Sequence, residues 1–395
     1  MFLKSDLVTR VTEEYEDMKM KPGINLNAPV HKHELPYPLV MGHFLPWYTG
    51  RTPNSYKVPQ EFAEGIRPPE LESWRHWRND RSEYSRTHLN QPLYGEYDSR
   101  NPVVVRQQIY DAIAHGLDGF IINLNGKNSA ENLIALSLLA EINLYNSRHH
   151  EKPFLYMISY DSKAQSPTEG KKPVSIEEDF EYLRDVWLTD AWVRNGDSPV
   201  LFIFAYEDNF SEYKAAAEKV FDNGADIIWP YPDRCKGGNA AFCWVHPDKT
   251  RDNGMWLDND SSGSEYCRSY YRSCAENDYI KYVVGAVWPG FNDTLVRWAW
   301  EDGLSKDHLR PRIIPANTSI GNTLELTWQE VYDYLLAEKN GGLEYTPMPI
   351  VQIVTWNDWA ESTAIEPDVE TGYSSLKICS RYIRTIRNRI GVKTW

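Results

Sequence analysis

Residues 117–161 predict a strand, a helix and a second strand, with the sequences LDGFIINLN (117–125), SAENLIALSLLAEINLYNSR (129–148) and KPFLYMISYD (152–161). The two outer segments are short apolar runs rich in β-branched and aromatic residues, whereas the middle one is too long for an ordinary strand. Strands that alternate with helical segments are typical of β-α-β units in a parallel sheet. The stretch therefore predicts one such unit.

The alternation continues on both sides of this stretch. Eight predicted strands with helices between nearly all of them favour a closed (β/α)8 barrel, and the step from the fifth strand to the sixth is the weakest. An open doubly wound sheet is the alternative, but no glycine-rich fingerprint follows the first strand. The other predicted strands are 38–48, 199–208, 225–232, 241–248, 280–290 and 349–358, and the other predicted helices are 101–116, 175–188, 211–223, 265–278, 327–340 and 373–390.

No glycine/serine linker and no sustained run of charge divides the chain. We therefore expect a single (β/α)8 domain over residues 38–395, preceded by an N-terminal extension at 1–37. Two long insertions, at about 49–100 and 290–325, would follow the first and seventh strands. Both would lie at the C-terminal ends of the strands, where barrel enzymes carry their active sites.

The charge and hydropathy of the chain limit the classes of partner that it could bind. The 395 residues include 42 Lys+Arg and 56 Asp+Glu, which gives a formal net charge of −14. A chain this acidic is poorly suited to phosphate backbones, so we expect no nucleic-acid partner. No apolar run approaches the roughly 18 residues of a membrane-spanning helix, so we expect no membrane partner. The oligomeric state is left open.

The cysteines predict neither a disulfide framework nor a zinc site. They are odd in number and no pair has the spacing of a Cys-x-x-Cys motif, so we expect free buried thiols for most of them. Because the start of the chain, MFLKSDLVTR, is charged, we do not expect it to act as a signal peptide. We expect a cytoplasmic location for this sequence, or a secreted or periplasmic one if a signal peptide has been removed. The cysteines are Cys235, Cys243, Cys267, Cys274 and Cys379.

Polar and aromatic side chains gather at the predicted ends of all eight strands. Flat amphipathic rings match the C–H faces of sugars, so this convergence predicts a groove that binds an oligo- or polysaccharide. For some members packing is the alternative: a helix N-cap for Asp161, a core histidine for His43, and a roof over the barrel for Trp229 and Trp288. The predicted groove residues are His43, Trp47, Tyr48, Asn123, Tyr160, Asp161, Tyr206, Glu207, Trp229, His246, Trp288, Asn292, Asp293, Trp356, Asn357 and Glu366.

The segment TWNDWAESTAIEP (355–367) carries the predicted chemistry. Asp358 and Glu361 lie three residues apart, where the eighth strand gives way to its loop. Hydrolysis of a glycosidic bond needs two carboxyl groups, one protonated and one ionised. The flanking Trp356 and Trp359 would desolvate the pair, which raises a carboxyl pKa. A capped helix start with surface acids is the alternative.

This segment resembles two glycoside hydrolase families. Residues 356–362 are similar to the pattern Trp-Asn-Asp-aromatic-Gly-Glu-Ser of family 71, the fungal-type α-1,3-glucanases, with Ala360 in place of glycine. Residues 363–367 resemble the Ile-Glu-Pro tail of family 99, the endo-α-mannosidases and mannanases, whose motif has glutamate where this chain has Asp358. Residues 111–124 and 154–161 resemble the second and third strands of these families, and 288–294 resembles a family 99 stretch.

The resemblance implies a (β/α)8 glycosidase without a metal or organic cofactor. Carried over by position, Glu361 becomes the general acid. Asp358 becomes the base for a water molecule in the family 71 pattern, or the group that deprotonates the sugar 2-hydroxyl in the family 99 pattern. Asp358 is shorter than glutamate by one carbon–carbon bond, about 1.5 Å, which leaves room for a water and favours inversion of the anomeric centre.

An α-1,3-glucan is the first expected substrate, because Asp358 and Ser362 follow the family 71 pattern. An α-mannan is the second. A carbohydrate-binding barrel without catalysis, or a protein of polysaccharide synthesis, is the alternative from another functional class.

Overall fold

The computed structural model describes the chain in twelve stretches. The predicted N-terminal extension, 1–37, lies outside them, and so do Tyr206, Glu207, Cys235 and parts of both predicted insertions. The described residues are 38–50, 75–79, 86–161, 174–204, 210–230, 238–246, 251–252, 255–256, 263–280, 282–296, 312–335 and 349–390.

Eight strands form one sheet in which all barrel strands pair in parallel, from β1 through β7 in chain order. The first segment of β7 pairs with β6 and its second segment pairs with β8, which in turn pairs with β1, so the sheet closes on itself. The predicted (β/α)8 barrel is confirmed. Its strands are β1 (Leu39–Phe44), β2 (Gly119–Leu124), β3 (Leu155–Tyr160), β4 (Ser198–Ile203), β5 (Asp226–Pro230), β6 (Ala240–Phe242), β7 (Tyr282–Val283 and Gly285–Val287) and β8 (Ile350–Ile353).

Among the described residues, helices separate the strands at every step except that from β5 to β6, where the structure describes only residues 238–239 of the connection. This is the step that the sequence marked as weakest. One helix begins earlier than predicted, at Thr323 in place of 327, because the Asn322 side chain accepts the backbone N–H of Glu325 and starts the helix there. The helices of the described residues are α1 (Pro102–Ala114), α2 (Ala130–Asn146), α3 (Ile176–Tyr182), α4 (Phe210–Val220), α5 (Ser264–Ala275), α6 (Thr323–Leu335) and α7 (Ser374–Arg389).

Local sequence signals fix several helix ends. Asn101 and Ser129 accept backbone N–H groups at the starts of α1 and α2. The predicted capping box of α3 is present, with Ser175 and Glu178 bonding reciprocally. Gly116, just beyond α1, has φ +90°, a backbone conformation that favours glycine.

Alternation along the strands divides the core into two layers. Leu39 and Met41 of β1 belong to the cluster that fills the barrel, whereas Val40 and Phe44 of the same strand pack against the helices. Successive side chains of a strand point to opposite faces. The face on which a strand-end residue lies therefore decides whether it reaches the mouth of the barrel.

Cys243, Cys267, Cys274 and Cys379 are buried thiols outside any disulfide among the described residues, as predicted. Among the helices of the described residues, none combines the length and the apolar character needed to cross a membrane.

Candidate active site

Asp358 lies in the loop after β8 and is almost fully buried, with 2% of its surface exposed. Its backbone N–H donates to Thr355 Oγ1 over 2.7 Å, and its Oδ1 accepts the backbone N–H of Glu361 over 2.9 Å. Among the described residues, no cationic side chain is paired with it. The loop thus holds Asp358 through the Thr355 hydroxyl and the main chain, and the carboxyl group itself accepts from a backbone N–H.

Burial raises the pKa of Asp358 to about 7, and the backbone N–H groups of Glu361 and Ala360 act in the opposite direction. Desolvation disfavours the charged form of a carboxylic acid, which explains the direction. A group with a pKa near neutral pH exchanges its proton readily under physiological conditions, as acid–base catalysis requires.

Glu361 is half-buried and lies between Asp358 and the loop after β7. Its N–H donates to Asp358, and its C=O accepts the N–H of Asn292 over 2.8 Å. Ser362 Oγ donates to the Asn292 C=O over 3.2 Å. Asn292 therefore supports the carboxylate pair through its main chain, while its own side chain accepts bonds from Thr294.

Aromatic residues of the loop after β1 form one wall beside Asp358. The Tyr48 ring stacks on Trp77 with centroids 3.9 Å apart, and its hydroxyl accepts the N–H of Trp359 over 2.9 Å. Burial, followed by the negative charge of Asp358, raises the pKa of Tyr48 well above its ordinary value. Trp47 is half-buried and stacks on His76 with centroids 4.4 Å apart.

Asn357 and Glu366, two predicted groove residues in the loop after β8, bond to other parts of the protein. The Asn357 side chain accepts the Leu45 N–H and donates to the Leu45 C=O, which joins the loop after β8 to the end of β1. Glu366 accepts hydrogen bonds from Gln108, Tyr97 and Trp359 at 2.6, 2.7 and 2.9 Å.

Asp293 is also held in place. It is fully buried and pairs with Arg312, whose Nε lies 2.6 Å from its Oδ2 and whose backbone N–H donates to its Oδ1. The contact joins the two described parts of the loop after β7.

Tyr160 and Trp229 lie on the outer face of the barrel, away from its mouth, which corrects their predicted place in the groove. The Tyr160 hydroxyl donates to Asp179 over 2.6 Å. Trp229 is fully buried between Phe210 and Tyr213 of α4, with both ring centroids 5.4 Å away. Both side chains fill the layer between strands and helices.

The same correction applies to Trp288 and Trp356, both of which are fully buried. Trp288 packs beside Gly263 at the start of α5, and its backbone N–H donates to Thr327 of α6. The Trp356 ring contacts Phe120, with centroids 5.0 Å apart. Both side chains belong to the layer between the strands and the helices, so Trp288 neither lines the groove nor forms a roof over the barrel.

His43 and Asn123 lie on the inner face at the ends of β1 and β2 and are buried. Asp161 follows β3 and is partly exposed. His246 lies beyond the end of β6, which stops at Phe242, and its ring contacts Tyr266 of α5 over 5.0 Å.

Two aromatic residues at the mouth were not predicted from the sequence. Phe204 follows β4 and Trp244 follows β6, and both are half-buried and pack against the inner cluster. Their rings lie 5.0 Å apart in an edge-to-face arrangement. Counting alternate positions from the apolar inner residues of each strand would have indicated them.

The fold is similar to that of solved glycoside hydrolases. Two structures of a family 99 endo-α-mannosidase from Bacteroides thetaiotaomicron match with TM-scores of 0.56 and 0.59 and identities of 15% and 14%. The matches cover 90% and 89% of this chain and 99% and 98% of the mannosidase chains. A glycoside hydrolase-like protein matches with a TM-score of 0.53 and 17% identity, over 78% of this chain and 91% of its own.

No protein-family model and no curated protein matches the chain. At these identities the likeness establishes the architecture. The chain therefore shares its barrel fold with the family 99 endo-α-mannosidase structures over nearly their whole length.

Proposed function

We propose that the protein is a glycoside hydrolase that acts on α-linked glycans, with Asp358 and Glu361 as its catalytic pair. The observation that carries the proposal is the buried Asp358, whose pKa is raised to about 7 by burial and whose Oδ1 is bonded to the N–H of Glu361. Two carboxyl-bearing residues, three positions apart in the loop after the last barrel strand, provide the groups that glycosidic hydrolysis needs.

In this proposal Asp358 is the base and Glu361 is the general acid. A carboxylate with a pKa near 7 is a stronger base than an ordinary aspartate, which suits it to accept a proton from water. As the water oxygen bonds to the anomeric carbon, the bond to the leaving oxygen breaks, and Glu361 donates its proton to that oxygen. Glu361 has the longer side chain and is half-buried, which supports its contact with the leaving group.

Inversion of the anomeric centre follows from these roles. The side chain of Asp358 is about 1.5 Å shorter than that of a glutamate, so it leaves room for the attacking water. An α-linked substrate would then release the β-anomer first. If Asp358 instead deprotonates the sugar 2-hydroxyl, as in the family 99 pattern, the α-anomer would be released first.

We take α-1,3-glucan as the first candidate substrate, because Asp358 and Ser362 follow the family 71 pattern. An α-mannan is the second candidate. It is supported by the family 99-like Ile365-Glu366-Pro367 tail and by the structural similarity to an endo-α-mannosidase. Trp47 and Asp161 are proposed sugar contacts because both are partly exposed near the strand ends.

The experiment is an assay of reducing ends released from a panel of α-glucans and α-mannans, with Glu361→Gln as the inactive control. Proton NMR of the first-formed anomer on the best substrate then separates the two chemistries. Wild-type protein that binds these glycans and releases no reducing ends would instead support a carbohydrate-binding barrel.

A further inference from the structure

The chain makes one tight turn over residues 358–363. The N–H of Thr363 donates to the C=O of Asp358 over 3.1 Å, and the N–H of Ser362 donates to the C=O of Trp359 over 3.3 Å. These two bonds form the pattern that commonly ends a helix, in which the residue before the last donor has a left-handed backbone. Ser362 is that residue, with φ +56°. The turn contains both members of the proposed catalytic pair.

Ser362 occupies a position that favours glycine. A left-handed backbone brings the Cβ atom of an L-residue close to the following C=O, whereas glycine adopts this conformation freely. Gly116 beyond α1 is an example, with φ +90°. Among the described residues, His76 and Ser362 are the non-glycine residues with a left-handed backbone. Such a residue persists where its surroundings hold it there, so we expect its side chain to make a contact that glycine lacks.

The contact is with Asn292 in the loop after β7. Ser362 Oγ donates to the C=O of Asn292 over 3.2 Å, and the N–H of Asn292 donates to the C=O of Glu361 over 2.8 Å. One residue of the neighbouring loop thus bonds two successive residues of the turn. We call these two hydrogen bonds the Asn292 clamp.

Asn292 is held on its other side by separate contacts. It pairs with Ile313 in a short antiparallel ladder. The next residue, Asp293, is fully buried and forms an ion pair with Arg312. The clamp therefore fastens Glu361 to a segment that is fixed independently of the turn.

The backbone of Glu361 is bonded on both sides of its Cα atom. Its N–H donates to Asp358 Oδ1 over 2.9 Å, and its C=O accepts from Asn292. A general acid must lie within hydrogen-bond reach of the leaving oxygen, and a misplacement of about 1 Å can lower the rate about 10²-fold. Because the chain reverses directly after Glu361, the conformation of Ser362 sets where the acid lies relative to Asp358.

We propose that Ser362 is a positioning residue for the general acid. Its left-handed backbone reverses the chain directly after Glu361, and its hydroxyl holds that reversal against Asn292. Serine supplies the hydroxyl on a side chain that is short enough to bond the adjacent loop. The inference rests on the proposed function, since Ser362 has this role only if Glu361 is the general acid.

The first test separates the hydroxyl from the Cβ atom, using two variants of the full chain. Ser362→Ala and Ser362→Gly both lack the hydroxyl, so each should lower kcat on the best glycan about tenfold, with KM within about twofold of wild type. Only alanine keeps a Cβ atom at the left-handed position, so Ser362→Ala should melt about 2 °C below Ser362→Gly. The value of kcat then follows the hydroxyl, while the melting temperature follows the Cβ atom.

The matched control is Ser147→Ala. Ser147 is also half-buried and its Oγ also donates to a backbone C=O, that of Leu144, over 2.8 Å. It lies between α2 and β3, at the opposite end of the barrel from the loop after β8. This variant loses the same kind of hydrogen bond, and its kcat should equal that of wild type.

The second test asks whether Ser362 acts through the acid. The loss of kcat in Ser362→Gly should shrink on an activated aryl α-glycoside, because that leaving group needs little protonation. A turn that is merely loosened would also displace Asp358 and would lower the rates on both substrates equally. Ser362→Gly is used here because glycine retains the left-handed backbone without strain.

The outcomes separate this inference from the proposed function. Wild-type kcat in Ser362→Gly, together with an inactive Glu361→Gln, overturns the inference and leaves the hydrolase standing. Equal losses on the glycan and the aryl glycoside also overturn a role through the acid. Wild-type turnover by Glu361→Gln, or no release of reducing ends by the wild-type protein, instead overturns the proposed function and the role of Ser362 with it.

Discussion

The loop after β8 buries two carboxyl groups in different ways. Asp358 and Glu366 are each 2% exposed, and burial raises the pKa of each to about 7. Glu366 accepts hydrogen bonds from three side chains that belong to three separate parts of the chain. Asp358 accepts bonds only from the backbone of its own loop among the described residues.

This difference separates a structural carboxyl group from a chemically available one. The donors around Glu366 occupy its oxygens and hold its position, so it serves to join the loop to α1 and to the aromatic residues beside Tyr97. The contacts of Asp358 hold its backbone and one oxygen, which leaves capacity to accept a proton from a ligand. A raised pKa alone does not distinguish the two groups.

The sharpest way to test this comparison is the same acid-to-amide change at both positions. Asp358→Asn removes the proposed base and should lower kcat on the natural glycan about 10²–10⁴-fold. Glu366→Gln keeps the shape and an acceptor oxygen for the Tyr97 and Trp359 donors, so kcat should stay within about threefold of wild type. Steady-state kinetics of both purified variants provide the measurement. Similar losses in the two variants would contradict the distinction.

The acid partner gives a second prediction. Glu361→Gln should lower turnover of the natural glycan by about 10²–10⁴-fold, with oligosaccharide binding retained. The loss should shrink for an activated aryl α-glycoside, because its leaving group needs little protonation. Rates on the two substrates, compared with wild type, measure the effect. Near-wild-type turnover of the polymer would remove Glu361 from the mechanism.

A third prediction concerns pH. As the base, Asp358 must be ionised, and its pKa is raised to about 7 by burial. Below pH 7 the value of kcat/KM should therefore fall about tenfold for each pH unit. Glu366→Gln should leave this acidic limb in place, since its carboxyl group is structural. An acidic limb near pH 4 would show that Asp358 is not the titrating base.

The smallest predicted effect is on stability. The folded pKa of Asp358 is above its ordinary 3.8, so folding favours its protonated form. Its contribution to stability is greatest at low pH and is lost as the pH rises through about 7. The gain in unfolding free energy from Asp358→Asn should therefore grow by up to about 3 kcal/mol between pH 5 and pH 8. Urea denaturation at the two pH values measures it, and a constant difference would contradict the burial of an ionisable Asp358.

The strand ends show how far the sequence could locate the candidate site. The spacing of Asp358 and Glu361 and their position after β8 were predicted from the motif. The predicted tryptophans Trp229 and Trp288 instead lie in the outer layer, whereas Phe204 and Trp244 line the mouth. Because side chains alternate along a strand, an error of one residue in register moves a side chain to the opposite face.

Strand length was the second source of difference between the predicted and the observed positions of the strand-end residues. The sequence extended β6 to 248, but the strand stops at Phe242; Trp244 packs against the inner cluster, and the His246 ring contacts Tyr266 of α5. Apolar runs continue past the last ladder hydrogen bond, and the sequence carries no signal for that point. Local signals were more reliable where a specific side-chain hydrogen bond marks the end of an element, as in the capping box of Ser175 and Glu178.

The sequence by itself determined the barrel, because the alternation of strands and helices follows from local hydrophobic periodicity. It also determined the candidate carboxylate pair, since both members lie in one short motif. Only the tertiary structure decided which carboxyl group accepts hydrogen bonds from other side chains at both oxygens, and which side chains point into the mouth. Those properties depend on contacts between residues far apart in the chain, such as Glu366 with Gln108 and His43 with Trp244.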